Sequence, residues 1–473
     1  MTTPHLDTKF LKIGTTIFTV MSALATEKNA VNLGQGFPDF DCDPKLVACV
    51  NDAMTHGLNQ YPPMTGVPAL REAVADKIES LYQHRYDPTS EITITAGATQ
   101  AILSIILAVV RAGDEVIVLE PCYDSYIPNI DMAGGVAVRV PLTPGTFRPD
   151  FDKISAAITP KTRAIIVNSP HNPSATVWTR EEMLKLQELL APTNIVLISD
   201  EVIVLEPCYD SYIPNIDMAG GVAVRVPLTP GTFRPDFDKI SAAITPKTRA
   251  IIVNSPHNPS ATVWTREEML KLQELLAPTN IVLISDEVYE HMVYAPLQHL
   301  SASSFPGLAE RAFIVSSFGK TFHVTGWKIG YVAAPAAYSA EFRKVHQFNV
   351  FTVNTPVQHG LAAFLQDPQP YLQLPAFYAA KRDLFRQGLA QTKFELLPSE
   401  GSYFQCVRID KLGVPEKDLS EADFCKWLTS EIGVAAIPLS AFYADGFDQR
   451  VVRFCYAKKD ETLKLALGRL ARL

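Results

Sequence analysis

The chain has 473 residues, of which 47% are hydrophobic and 19% charged, with a formal net charge of −8. That length exceeds one ordinary domain core, and two domains are expected. The acidic balance argues against a nucleic-acid surface, and the longest apolar run, near Ala101 to Val110, is too short to span a bilayer.

In chain order, MTTPHLDTKF carries no secretory leader, and NLGQGFPDF (Asn32 to Phe40) is a glycine-rich turn that permits close backbone approach to a ligand. EITITAGAT predicts a strand over Ile92 to Thr95, a turn at Gly97 and a helix from near Thr99. The helix TQAILSIILAVVRAG is apolar nearly all round and should lie against a sheet. EVIVLEP, VAVRVPL, RAIIVNSP, NIVLISDEV and AFIVSSF read as short, continuously apolar strands. TREEMLKLQELLA is a helix with Thr265 as N-cap and Glu268 completing a capping box. Such alternation predicts an α/β fold with a mainly parallel sheet covered on both faces. Helices over Pro356 to Leu389 and the strand GSYFQCVRI follow. The expected division is a large domain over 45–345 and a smaller α+β domain over 346–473, joined by residues 1–44. Seven cysteines with no CxxC pair read as reduced thiols of a cytoplasmic protein.

One feature departs from any ordinary domain. Residues 114–199 recur without a change as residues 200–285. Solenoid repeats are shorter and diverge, so this reads as a tandem duplication or an assembly artefact. One fold needs one copy.

Five motifs carry chemistry, and an arginine adds to them. SSFGKTFHVTGWKIG places Lys320 in a loop after a buried strand. A buried lysine has a lowered pKa, which frees its amine for Schiff-base chemistry. Ser317 and Lys328 supply a hydroxyl and a cation for a phosphate. The plain alternative is a surface lysine. NIVLISDEVYE puts Asp286 at the carboxyl end of a strand, where a carboxylate needs a partner such as a protonated pyridine nitrogen. Tyr289 is then placed for the cofactor's phenolic oxygen, whereas the plain alternative makes Asp286 a helix N-cap. TAGATQA offers helix N-terminal amides to phosphate. NSPHNPSA, present twice, gives Asn172 or Asn258 for the phenolic oxygen, and His171 and His257 read as structural. EPCYDSY, also twice, gives Tyr123 or Tyr209 to stack on a flat ring. Finally, VVRFCYAKK sets Arg453 among apolar strand residues, where its planar fork suits a carboxylate or a structural ion pair.

Together, VNLGQGFPDF, QYPPMTGVPALREA, TAGATQA, NSPHNPSATVW, SDEVYEH and SSFGKTFHVTGWKIG resemble the class I aminotransferases of fold type I. The resemblance is nearest to the methionine aminotransferase and kynurenine/glutamine aminotransferase group, and covers the chain once one copy is set aside. It implies pyridoxal 5'-phosphate as cofactor, with Lys320 as Schiff-base lysine and proton shuttle and Asp286 on the pyridine nitrogen. Tyr289 and Asn258 would hold the phenolic oxygen, and Ala98, Thr99, Ser317 and Lys328 the phosphate. Arg453 would take the substrate carboxylate, Gly36 would line the substrate site, and Tyr61 would reach the neighbouring subunit's phosphate in a homodimer. Phe18 and Tyr126 (or Tyr212) would shape an apolar pocket for methionine and aromatic substrates in a ping-pong reaction with a 2-oxo acid. Two other outcomes are β-elimination from cysteine conjugates and a duplication-damaged chain of little activity.

Using copy one throughout would cut the strand beside Asp286. This leaves copy two throughout, or copy one switching to copy two in a loop such as TPGTFRPD. Both use Asn258, and Tyr123 is preferred as the stacking ring because it follows its own helix directly. The spare copy is an expected aggregation hazard, since it cannot bury its apolar strands alone.

Overall fold

The computed structural model describes residues 17–109, 115–120, 136–141, 149–158, 162–166, 196–197, 201–218, 222–245, 248–443 and 446–473. Its main element is a seven-stranded sheet of β1 (Ile92–Thr95), β2 (Glu201–Glu206), β3 (Val222–Pro227), β4 (Thr248–Asn254), β5 (Val282–Asp286), β6 (Ala312–Ser317) and β7 (Gly330–Ala333). The spatial order is β3-β2-β4-β5-β6-β7-β1. Every pairing is parallel except those of β7, which runs antiparallel to β6 and β1.

The continuously apolar strands follow from burial on both faces. Ile203, Ile251, Leu283 and Ile314 belong to one core cluster. The alternate residues Val204, Ile252, Ile284 and Val315 join Ala101, Ile102 and Ile105 of the helix Ala98–Val109 in the other. Period-two alternation thus sends apolar side chains to both sides, each covered. The helix Arg266–Leu276 carries the expected capping box between Thr265 and Glu268.

The sheet uses the second copy throughout. Strands β2, β3, β4 and β5 all derive from residues 200–285 or their direct continuation, so β5 runs unbroken into Asp286. The surplus residues fall at one connection, between the helix Ala98–Val109 and β2. In the first copy, Val136–Pro141, Glu115–Glu120, Thr162–Ile166 and Val196–Leu197 form a separate four-stranded sheet in that order. Its register repeats that of the large sheet: Glu115 opposes Val136 as Glu201 opposes Val222. Even the shift between Glu115 and Val116 recurs between Glu201 and Val202. The spare strands therefore pair with each other rather than remaining unpaired.

Beyond β7, the helices Ala336–Asn349, Thr355–Phe364 and Leu374–Leu389 lead to a four-stranded antiparallel sheet. It orders Glu395–Leu396, Phe404–Arg408, Val451–Cys455 and Ile437–Pro438. Near the N-terminus, the strand Val31–Asn32 pairs in parallel with Val434–Ala435, so the early chain joins the C-terminal part. No helix among the described residues is long and apolar enough to cross a membrane.

Candidate active site

Parallel strands aim their carboxyl ends at one edge of the sheet, where an open α/β sheet forms its binding crevice. Here that edge carries Asn254, Asp286 and Ser317 at the ends of β4, β5 and β6, with the turn at Gly97 after β1. One pocket gathers them. It is lined by Ala98, Thr99, Asn258, Asp286, Tyr289, Ser317, Lys320 and Lys328, and by Gly36, Phe18 and Arg453 from outside the sheet.

Lys320 lies in a short helix, Phe318–Thr321, rather than in the expected loop. Its Nζ donates to the Gly36 carbonyl at 3.2 Å and lies 5.8 Å from the Tyr289 ring centre. Burial pulls its pKa down to about 8. The ammonium is costly in this setting because desolvation favours the neutral amine.

Asp286 is only 3% exposed. Burial raises its carboxyl to about 6, opposed by a 2.6 Å hydrogen bond donated by the Tyr212 hydroxyl to Oδ2. The Val288 amide donates to Oδ1 at 3.2 Å. A turn follows, not a helix, so Asp286 is not a helix N-cap. Tyr289 is buried, and that burial pushes its hydroxyl pKa up.

Opposite lies Arg453, 1% exposed on the strand Val451–Cys455. Its Nη1 donates to Asn258 Oδ1 at 2.7 Å and its Nη2 to the Gly34 carbonyl at 3.2 Å. Its Nε has no hydrogen-bond partner among the described residues. Rings of Phe404, Phe442 and Phe18 surround the guanidinium, with its central carbon 4.0, 4.9 and 5.3 Å from their centres. Among the described residues no carboxylate forms an ion pair with it. A buried cation with an orphan donor calls for an anion.

The third corner is a cup of backbone. Gly97 has φ +82° and Lys328 φ +52°, and both line the pocket beside the helix N-terminus at Ala98. Gly330 makes this close packing possible: a Cβ there would stand 2.5 Å from the Ser316 carbonyl and 3.5 Å from the Ala98 nitrogen. The helix dipole, its free amides and the Lys328 charge all favour an anion such as phosphate.

Two expected residues, Tyr123 and Tyr126, lie outside the described residues, as does Asn172. In the second copy, Tyr209 lines the pocket. The expectation that Tyr212 shapes the substrate wall is corrected: only 2% exposed, it stands behind Asp286. Tyr61 is not in this pocket. It is 82% exposed and stands edge-on to Phe351 at 5.6 Å. Sequence reasoning missed Phe404 and Asp210, both pocket-lining. Phe404 is a strand residue of ordinary appearance, and only the fold brings it over Arg453.

A buried amine, a buried carboxylate and an anion cup in one crevice agree with what the chain resembles. The model for aminotransferase class I and II matches residues 28–202 and 199–470. The chain belongs to the class I and II aminotransferase family. The two matched stretches meet inside the duplication. The chain is 41% identical over 468 residues to methionine aminotransferase of Escherichia coli strain K12, covering 99% of this chain and 98% of that one. It is 31% identical over 467 residues to kynurenine–oxoglutarate transaminase 3 of Rattus norvegicus, covering 95% and 86%. A solved E. coli structure, YbdL, described as having a methionine aminotransferase function, superposes with a TM-score of 0.79 at 40% identity and full coverage of both chains.

This aminotransferase is therefore a pyridoxal-phosphate enzyme of fold type I that transaminates amino acids. The residues present fit that cofactor. The cup suits its phosphate, Lys320 is a buried amine with one weak backbone contact, and Asp286 offers an anion. Arg453 Nε remains a buried donor with no hydrogen-bond partner among the described residues.

Proposed function

We propose that the enzyme transfers the amino group of methionine or an aromatic amino acid to a 2-oxo acid by a ping-pong mechanism. The observation that carries this reading is the aromatic enclosure of Arg453 by Phe18, Phe404 and Phe442. It leaves an apolar space beside the carboxylate anchor. Among the described pocket-lining residues, the cations are Lys320, Lys328 and Arg453. None of these is left over to receive a second carboxylate, so an acidic side chain would be buried unpaired.

When bound, pyridoxal phosphate supplies an electron sink for the pair released from the substrate Cα–H bond. The chain's own residues do the rest. Arg453 and Asn258 hold the substrate carboxylate, the guanidinium donating from Nε and Nη. Lys320, the buried pocket-lining amine, would hold the cofactor covalently. Its Nζ would also serve as the base that takes the Cα proton, and burial, which pulls the free amine down to about 8, favours the neutral form that this role needs. Asp286 would pair with the ring nitrogen as an anion and keep it protonated. Tyr289 and Asn258 would hold the phenolic oxygen, and Tyr209 would pack against the ring. Ala98, Thr99, Ser317 and Lys328 would hold the phosphate.

The protein is proposed to act as a cytoplasmic homodimer. Tyr61 and Phe348, 82% and 87% exposed, with Phe351 beside Tyr61, present aromatic surface that a second subunit would cover. Tyr61 would then reach the partner's phosphate.

Mixing purified holoenzyme with methionine in the absence of any oxo acid tests the reading. One equivalent of oxo acid per site should form, and the visible cofactor band should disappear. Adding a 2-oxo acid should restore the band. Aspartate should react at least about tenfold more slowly, the scale set by an unpaired buried carboxylate. Equal rates for aspartate and methionine would refute the specificity, and continuous pyruvate release from a cysteine conjugate would favour the lyase.

A further inference from the structure

Tyr212 has no place in the chemistry above, yet its position is unusual. It opens the helix Tyr212–Met218, is 2% exposed, and donates its hydroxyl hydrogen to Asp286 Oδ2 at 2.6 Å. It does not line the pocket; Asp286 does. The carboxylate is thus held between the pocket on one side and a phenol on the other.

We propose that Tyr212 is a positioning residue for transamination, orienting the Asp286 carboxylate and keeping it anionic through this hydrogen bond. The proposal rests on the reading that Asp286 partners the cofactor's ring nitrogen. Two contacts fix the carboxylate plane: Oδ1 receives the Val288 amide at 3.2 Å and Oδ2 the phenol at 2.6 Å. The phenol comes from behind, outside the pocket lining, and leaves the pocket side of the carboxylate open. A hydrogen bond from a neutral donor to an anion favours the charged form and is stronger than one between neutral groups.

Such support is needed here. Burial pushes Asp286 up to about 6, and Glu287 beside it pushes the same way. The other titratable groups facing it are Tyr209 from the segment after β2, Tyr289 on its own segment and Lys320 beyond β6. Lys320 loses its charge readily and, once linked to the cofactor, is committed elsewhere. Tyr212 does not titrate in the working range, because burial and the adjacent carboxylate hold its proton on. It is therefore a permanent donor.

The full-length holoenzyme is compared with Tyr212→Phe, Asp286→Asn and the double variant. The pH midpoint of the visible cofactor band is measured, along with kcat and KM for methionine. Without the phenol, Asp286 becomes a poorer anion, the ring nitrogen is less firmly protonated, and less charge is drawn from the lysine–cofactor bond. Tyr212→Phe should raise the band midpoint by about one unit and lower kcat about tenfold, as loss of one charge-assisted hydrogen bond implies. KM should change less than about twofold, since Tyr212 does not touch substrate. Asp286→Asn should do more. Adding Tyr212→Phe to Asp286→Asn should change neither the midpoint nor kcat further, because the hydroxyl acts through that carboxylate.

An unchanged midpoint in Tyr212→Phe overturns the proposal. So does a Tyr212→Phe effect that persists at full size in the Asp286→Asn background, which would assign the hydroxyl a packing role. If Asp286→Asn alone leaves the midpoint and kcat intact, the reading of Asp286 fails first, and the proposal falls with it.

Discussion

The duplication turns one substitution into two experiments on identical local sequence. Asn258→Ala removes the side-chain amide whose Oδ1 accepts from Arg453 Nη1 at 2.7 Å. The loop itself should survive, because it is the Asn258 backbone nitrogen that donates to Asn254 Oδ1 at 2.7 Å. What is lost is a buried hydrogen bond to a charged group, worth about 1.5–3 kcal/mol. The guanidinium would keep the Gly34 carbonyl and little else among the described residues. Arg453 is 1% exposed, so no other described side chain takes the place of the lost partner. The expected result is a rise of about ten- to a hundredfold in KM for both methionine and its oxo acid, because both present the same carboxylate. Asn172→Ala, in the same local sequence of the copy that does not build the large sheet, should change KM less than about twofold. Steady-state kinetics in both directions, with thermal melts to check folding, give the answer. Equal losses from the two variants, or a larger loss from Asn172→Ala, would refute the claim that the second copy builds the site.

Other outcomes follow from the same geometry. The rate at which apoenzyme condenses with pyridoxal phosphate should rise with pH and level off above about 8, because the neutral Lys320 amine reacts. A Lys320→Ala chain should show no such rise. Because the folded pKa is depressed, the unfolded chain binds the extra proton, and apoenzyme stability should increase between about pH 8 and the unfolded value of roughly 10.4. Denaturant titrations across that range check the sign. Arg453→Lys should weaken both substrates, since one ammonium cannot reproduce a buried planar fork; unchanged KM values would remove Arg453 from substrate binding. Gly330→Ala should destabilise by about 1–3 kcal/mol in thermal or denaturant melts and weaken phosphate binding, because its Cβ would meet the Ser316 carbonyl. Lys77→Met should cost about 3–5 kcal/mol, measured by denaturant unfolding, because it leaves the buried Glu290 carboxylate without its paired cation. That carboxylate is buried and accepts from Lys77 at 2.7 Å, Ser316 at 2.5 Å and Tyr331 at 3.0 Å.

Much of this protein is written locally. Apolar runs of strand length fix β2 to β6, since strands buried on both faces need no polar alternation. The capping box at Thr265 and the glycine turn at Gly97 are short-range interactions, visible in four or five residues. Lys320, Asp286, Tyr289 and Arg453 stand out because ionisable groups in apolar strands and turns need partners. Less is legible where contacts are distant. Strand β7, four residues containing a glycine, is antiparallel and stabilised by β6 and β1 on either side. Its own residues carry no strand signal of comparable length. Lys320 is expected in a loop and lies in a helical turn, a difference of one hydrogen bond that local sequence does not settle.

The duplication marks the limit most clearly. Two identical stretches have identical propensities, so reading residues 114–199 against 200–285 leaves open whether the second copy builds the whole sheet or takes over from the first in a loop. The sequence by itself determined the α/β class, the lysine, the aspartate and the arginine, because each depends on chemistry within a few residues. Only the tertiary structure decided that the second copy also supplies β2 and β3, that Tyr209 lines the pocket, and that Tyr212 backs Asp286. The reason is that connectivity into Asp286 is visible in the chain, whereas the choice between identical strands for β2 and β3 rests on packing between distant residues.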